Sequence, residues 1–184
     1  MPTLKNCGLL HTFVNMASSA SSGRRLILLE TVQATLIKNL FESMKDILQD
    51  CNLCFSPSGA TICAMDGSHV ALVNMFIDGT KIEHYCCEST MMIGISVSTV
   101  INCLKPAGNM DTLTWEVFEH NTDVMKISIR NQEKRRVHEY HMKLIDIDCD
   151  MLDIPAKDFD FVMTLPSSDL HHTIRDLHHT GDRI

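Results

Sequence analysis

No uncharged apolar run in this chain approaches the ~18 residues that a membrane-spanning helix needs; Met91–Ile95 is typical. A membrane partner is not expected. No apolar stretch of about 7–15 residues with a cleavage site opens the chain, so a secretory route is not expected either. A glycine-rich phosphate loop is lacking, and so is the HExxH pair of zinc hydrolases. These absences argue against an enzyme, and no cofactor or metal is expected. Positive charge is scarce: 16 Lys and Arg face 23 Asp and Glu, a net of −7. That balance excludes a surface that grips nucleic acid all round, although a basic patch within an acidic whole is compatible with it. Acidic residues are absent from Met1 to Arg25, which includes Ala17–Gly23 and ends in Arg24-Arg25. Such segments resemble organelle transit peptides, but Lys5, Arg24 and Arg25 are its only basic residues and no amphipathic face is clear. Residues 1–25 are expected to be a flexible leader.

What is present is ordinary globular composition. Hydrophobic residues make up 45% and charged residues 21%, and 184 residues suit one domain, or one and a part. The eight cysteines stand at 7, 51, 54, 63, 86, 87, 103 and 149. The chain is too long, too rich in methionine and too strand-patterned for a small stapled scaffold. Reduced, mostly buried thiols in the cytosol or nucleus are expected.

From Leu26 the patterning is regular. Leu26–Gln33 reads as a strand. Thr35–Gln49 reads as a helix capped by Thr35, with Leu36, Leu40, Phe41, Met44, Ile47 and Leu48 at three- and four-residue steps. Strands are predicted at Asn52–Phe55, Ala60–Asp66, His69–Ile77, Lys81–Cys86 and Met92–Ile95. They are separated by turn chemistry at Ser56–Gly59, Asp66-Gly67 and Asp78-Gly79. A second helix runs over Ser96–Lys105 and stops before Pro106 and Gly108. Thr112–Glu119 and Asp123–Arg130 form a hairpin. The fold class is α+β, with antiparallel sheets dominant and two helices per unit.

The opening recurs at an offset of about 130 residues. Val32 matches Val162, Leu40 matches Leu170, Met44 matches Ile174, and Lys45-Asp46-Ile47 matches Arg175-Asp176-Leu177. A second copy is expected to begin near Ala156 with one strand and one helix. A full copy would extend to about residue 260, so a fragment or a missing second domain is expected.

Several motifs fall in order at fixed spacing: Met65-Asp66-Gly67-Ser68-His69-Val70-Ala71-Leu72-Val73, Asn131-Gln132-Glu133-Lys134, Tyr140–Asp148, Leu152-Asp153-Ile154-Pro155, and Arg175-Asp176-Leu177 with Gly181-Asp182. In these the chain resembles the proliferating cell nuclear antigen family, the eukaryotic sliding clamps, over Leu26 to Ile184. Arg135–Glu139 is two residues longer than the family's stretch, and the leader has no counterpart. The resemblance implies a DNA-clamp domain at 26–130, an edge strand and interdomain connecting segment at 131–155, and an incomplete start of a second clamp domain at 156–184.

The resemblance also implies a job. A clamp retains duplex DNA by encircling it, so a few basic side chains suffice for phosphate attraction and an acidic exterior is tolerable. Lys38, Lys45, Lys105 and Arg175 match the family's lining positions. Asn39, Asn102 and His172 replace usually basic ones, which implies weaker attraction. Lys38 and Lys45 are seven apart and share a helix face. Read alone they are solvated charges with Glu42 and Asp46 nearby. Met65, His69, Val70, Leu72, Leu152, Ile154 and Pro155 match the pocket that takes partner peptides carrying a glutamine and an aromatic helical turn. Read alone, His69 is a histidine at a strand start. Val137, Tyr140 and Lys143, within Arg135–Lys143, match the edge strand that joins subunits head to tail. The implied partners are double-stranded DNA without sequence preference, DNA polymerase and other proteins with clamp-interacting peptides, a clamp loader, and like subunits in a homotrimer. The acceptor strand would lie after Ile184. The implied place is the nucleus.

Rival chemistry is weaker. Cys51-x-x-Cys54 could be half a zinc site, but Cys86 and Cys87 are adjacent and point to opposite faces of a strand. His171, His172, His178 and His179 include no pair three or four apart, so none forms a one-turn chelate. Ser167-Ser168-Asp169 reads as a helix start. The remaining alternative is a non-encircling module that binds clamp-interacting peptides.

Overall fold

Among the described residues, alternation of apolar and polar residues builds nine strands, and the three-four periodicity builds three helices. In chain order they are β1 (Arg25–Thr31), α1 (Ala34–Met44), β2 (Asp50–Ser56), β3 (Gly59–Met65), β4 (Leu72–Asp78), β5 (His84–Cys87), β6 (Met91–Ser96), α2 (Val97–Leu104), β7 (Thr112–Phe118), β8 (Asn121–Asn131), β9 (Arg136–Lys143) and α3 (Ser167–His178). This computed structural model describes residues 23–148 and 159–178. The predicted leader therefore lies outside the described residues up to Ser22, while Arg25 already belongs to β1.

The strands form two antiparallel sheets, ordered β5-β1-β7-β8-β9 and β4-β3-β2-β6. In the first, Ile27, Leu29, Leu113, Trp115, Val117, Met125, Ile127 and Ile129 alternate onto one buried face. The opposite face carries partly exposed ion pairs such as Arg25–Glu116 and Lys126–Glu139, both at 3.2 Å. Such surface pairs contribute about 0–1 kcal/mol each, so burial on the other face drives folding. The second sheet buries Leu53, Phe55, Ala60, Ile62, Ile93 and Ile95 into the same core. Helix α1 closes the core with Ala34, Ile37, Phe41 and Met44. Phe41 meets Trp115 edge to face at 5.7 Å, a geometry aromatic pairs favour. Helix α2 buries Val97, Val100, Cys103 and Leu104 and packs beside α1.

The sequence reading requires corrections at element ends. Helix α1 ends at Met44, not Gln49, and the Ile47 and Leu48 amides close a turn on the Met44 carbonyl. Thr35 does not cap it: Gln33 holds the cap position, and the Thr35 hydroxyl donates to Asn109 at 3.0 Å. Residues 69–71 are loop rather than strand. Lys81 ends a short 3-10 turn begun at Gly79, where the Asp78 carboxylate accepts from the Thr80 amide at 2.9 Å, and β5 starts only at His84. Residues 159–166 form no strand, although α3 begins at the predicted Ser167. A strand pattern makes a strand only when a partner satisfies its amides.

Two glycines answer to close backbone approach. Gly59 lies at φ +151°, and a Cβ there would stand 2.1 Å from the Ile77 carbonyl oxygen. At Gly94 a Cβ would stand 2.1 Å from the Ile145 oxygen. The chain leaving β9 passes over that point. The Leu144 amide donates to the Asp123 carbonyl at 2.9 Å, and the next amide, Ile145, donates to the Gly94 carbonyl at 2.8 Å. Consecutive amides thus staple the first sheet to the second. The Asn52 side chain then donates to the Ile147 carbonyl at 3.2 Å.

The described residues fall into two compact units, 23–148 and 159–178. In the second, Leu170, Ile174 and Leu177 of α3 are 46, 51 and 41% exposed.

Candidate nucleic-acid interface and peptide site

Helices α1 and α2 carry three of the four candidate lining residues. Burial of Ile37, Phe41 and Met44 turns the opposite side of α1 outward. Lys45 is exposed at its end, and Lys105 is exposed at the end of α2. The Lys38 ammonium donates to the Lys105 carbonyl at 3.2 Å. It meets the negative end of the α2 dipole, an arrangement that favours a cation. Two lining candidates from different helices are thereby brought together. Asn39 and Asn102 are exposed beside them. Arg175 is exposed on α3, in the other unit.

The second sheet carries the first half of the candidate peptide site. Met65 and Leu72 are directly opposed partners at the ends of β3 and β4, each 42% exposed. His69 and Val70 lie in the loop joining those strands, and Val70 is 86% exposed. The expectation of His69 as a strand-start residue is overturned: it sits in the loop at φ +58°, a region L residues seldom occupy. Leu152, Ile154 and Pro155 lie outside the described residues.

Asp66 builds this loop, although the sequence marked Asp66-Gly67 only as turn chemistry and not as part of the site. One carboxylate oxygen accepts from the amides of Val70 at 2.8 Å and Ala71 at 2.7 Å. The other accepts from the Ser68 amide at 3.2 Å and from the Ser68 hydroxyl. These donors, the Ser68 hydroxyl foremost, lower its pKa to about 2. The Asp-x-Ser spacing is a turn signal that could have pointed to it.

On the candidate subunit edge, β9 pairs among the described residues with β8 on one side only. Val137 and Lys143 are exposed. Tyr140 is half-buried among residues packed on the core and stacks at 8° to the His138 ring. The β8–β9 turn is anchored from below. Buried Asp111 accepts from the Gly108 amide at 2.9 Å and from the Asn131 side chain, whose oxygen accepts the Lys134 amide at 2.7 Å.

Thiol and imidazole chemistry is not assembled among the described residues. Cys51 faces the core, and Cys54, three residues on, points to the other side of β2. Burial pushes the Cys51 thiol up to about 11 and raises Cys54 as well. No group of three metal-ligating side chains occurs among the described residues. No described helix is long and apolar enough to cross a membrane.

Comparison with known proteins adds to this geometry. Residues 27–152 match the family model for the proliferating cell nuclear antigen N-terminal domain. A probable DNA polymerase sliding clamp 1 of Paramecium bursaria Chlorella virus 1 is 31% identical over 156 residues, covering 85% of this chain and 60% of the relative. The proliferating cell nuclear antigen of Dictyostelium discoideum is 34% identical over 153 residues, 83% of this chain and 59% of that protein. That of Chaetomium thermophilum is 34% identical over 145 residues, with 79% and 56% covered. The chain thus spans roughly three fifths of the length of the curated relatives it matches.

Proposed function

Because the chain belongs to the proliferating cell nuclear antigen family, we propose that it is a sliding-clamp subunit, a processivity factor for DNA polymerase and a recruiting platform for replication and repair proteins. It works in the nucleus, without catalysis of its own. Residues 26–130 form the first clamp domain, 131–155 the edge strand and connecting segment, and 156–184 the opening of a second clamp domain. Lys38, Lys45, Lys105 and Arg175 attract the phosphates of encircled duplex DNA. Met65, His69, Val70 and Leu72, with Leu152, Ile154 and Pro155, receive partner peptides. The unpaired edge of β9, through Val137, Tyr140 and Lys143, pairs with a neighbouring subunit in a homotrimer that a clamp loader opens.

The bond from Lys38 to the Lys105 carbonyl carries the reading, because it brings a lysine of α1 to the lysine that ends α2 in a protein of net charge −7. Phosphate contacts appear as salt dependence: each neutralised phosphate adds roughly 0.9 to the slope of log K against log salt. The test is fluorescence anisotropy of the chain on a short duplex across salt concentrations. Replacing Lys38, Lys45 and Lys105 together by Ala should lower the slope by about 2 to 3 for duplexes of any sequence. An unchanged slope in a variant with wild-type unfolding behaviour overturns the assignment of these lysines.

A further inference from the structure

The β3–β4 loop poses a physical problem that apolar burial does not solve. Residues 67–71 are all exposed, Val70 at 86%, so no core contact orders them. Gly67 adds backbone freedom, and a Cβ at its position would meet nothing within 4 Å. His69 nonetheless adopts φ +58°, a left-handed backbone conformation that a residue with a side chain takes up only at a cost. Two backbone bonds close the loop, from the Asp66 amide to the Ala71 carbonyl at 2.9 Å and from the His69 amide to the Asp66 carbonyl at 3.0 Å. The Ser68 amide and hydroxyl and the amides of Val70 and Ala71 all end on the Asp66 carboxylate.

We propose that Asp66 is the positioning residue of the partner-peptide site, holding residues 68–71 so that His69 and Val70 stand preformed at the rim beside the Met65–Leu72 pair. The inference rests on the recruiting function proposed above and adds a residue to it. A peptide that packs an apolar or aromatic anchor against Val70 meets a surface already ordered. Without the carboxylate, binding itself must order the loop, and each side chain immobilised at that moment weakens the complex. The two oxygens divide the work. One holds the Val70 and Ala71 amides, which set the rim, and the other holds Ser68, which orients the carboxylate. An asparagine retains the first acceptor and loses the second.

The test titrates a fluorescent peptide containing a glutamine and one aromatic helical turn against the wild-type chain, D66A and D66N. Amide exchange at Val70 and Ala71 and urea unfolding midpoints are measured on the same proteins. D66A should weaken binding roughly tenfold and speed exchange at both amides. D66N should recover most of the affinity, and the three midpoints should agree, because the loop is an exposed tip. D66A binding as tightly as wild type overturns the inference. So does an affinity loss that D66N fails to rescue, or one matched by a falling midpoint. A wild-type chain that binds no peptide overturns the recruiting function instead. In that case unchanged exchange in D66A also overturns the positioning of the loop, and faster exchange upholds that part alone.

Discussion

Asp66 titrates against its own loop. Its pKa is lowered from 3.8 to about 2 by the Ser68 hydroxyl and then by the amides of Ala71, Val70 and Ser68, all of which favour the carboxylate. A depressed carboxyl pKa contributes order that is complete above the unfolded value and lost as pH falls through the folded one. The loop should therefore stay closed at neutral pH and open between pH 3.8 and about 2. Carboxyl-carbon NMR should place the Asp66 midpoint near the lower figure; a midpoint at the ordinary Asp value would show that these bonds are not formed in solution. Other residues follow the same logic of environment. Burial drives the Cys51 and Cys103 thiols up to about 11, so at neutral pH both are inert core side chains. The Asp-Gly-Ser run was legible as a turn, but which donors its carboxylate would collect depended on how β3 and β4 pair.

Among the elements, the segment after β9 is held by a staple rather than by a strand partner. The Ile145 amide reaches the Gly94 carbonyl at 2.8 Å only because β6 has no side chain there. In Gly94→Ala the new Cβ would overlap the Ile145 oxygen, so residues 144–147 must lift from the second sheet. The expected cost is about 1–2 kcal/mol, the loss of one or two hydrogen bonds. Ile145 amide exchange should rise sharply while β2 and β6 keep their protection. Unchanged exchange at Ile145 would count against the staple. The sequence showed an ordinary apolar run at Met91–Ile95 and gave no hint that its glycine meets residue 145. The strands themselves were legible because each buries one face: β2, β3, β6, β7 and β8 lie within two residues of expectation. The strand expected at 69–77 started late for a chemical reason, since Asp66 satisfies the amides a strand would have offered.

Across the whole molecule, stability is unevenly distributed. Residues 23–148 share one core built from two sheets and two helices, whereas α3 leaves Leu170, Ile174 and Leu177 substantially exposed. Hydrogen exchange should find the strongest protection at Leu29, Trp115 and Ile127 in the central strands. Protection across 167–178 should be slight, as for a short helix whose apolar residues stay substantially exposed. Equal protection in the two units would refute this division. Net charge belongs to the same scale: −7 coexists with a lysine of α1 that reaches the end of α2 at Lys105, so the average says nothing about the side proposed to face DNA.

Periodicity, turn chemistry and the ordered motifs from Met65 to Asp182 determined the fold class, most strand positions, both core helices and the family. These are local signals, because an apolar face or an Asp-Gly turn is written in neighbouring residues. Tertiary structure alone decided the pairing of Met65 with Leu72, the reach of Lys38 to the end of α2, the passage of Ile145 over Gly94 and the four donors around Asp66. Each joins groups whose proximity depends on sheet register, chain reversal or backbone direction, and hydrogen bonds form only where those place donor and acceptor within about 3 Å.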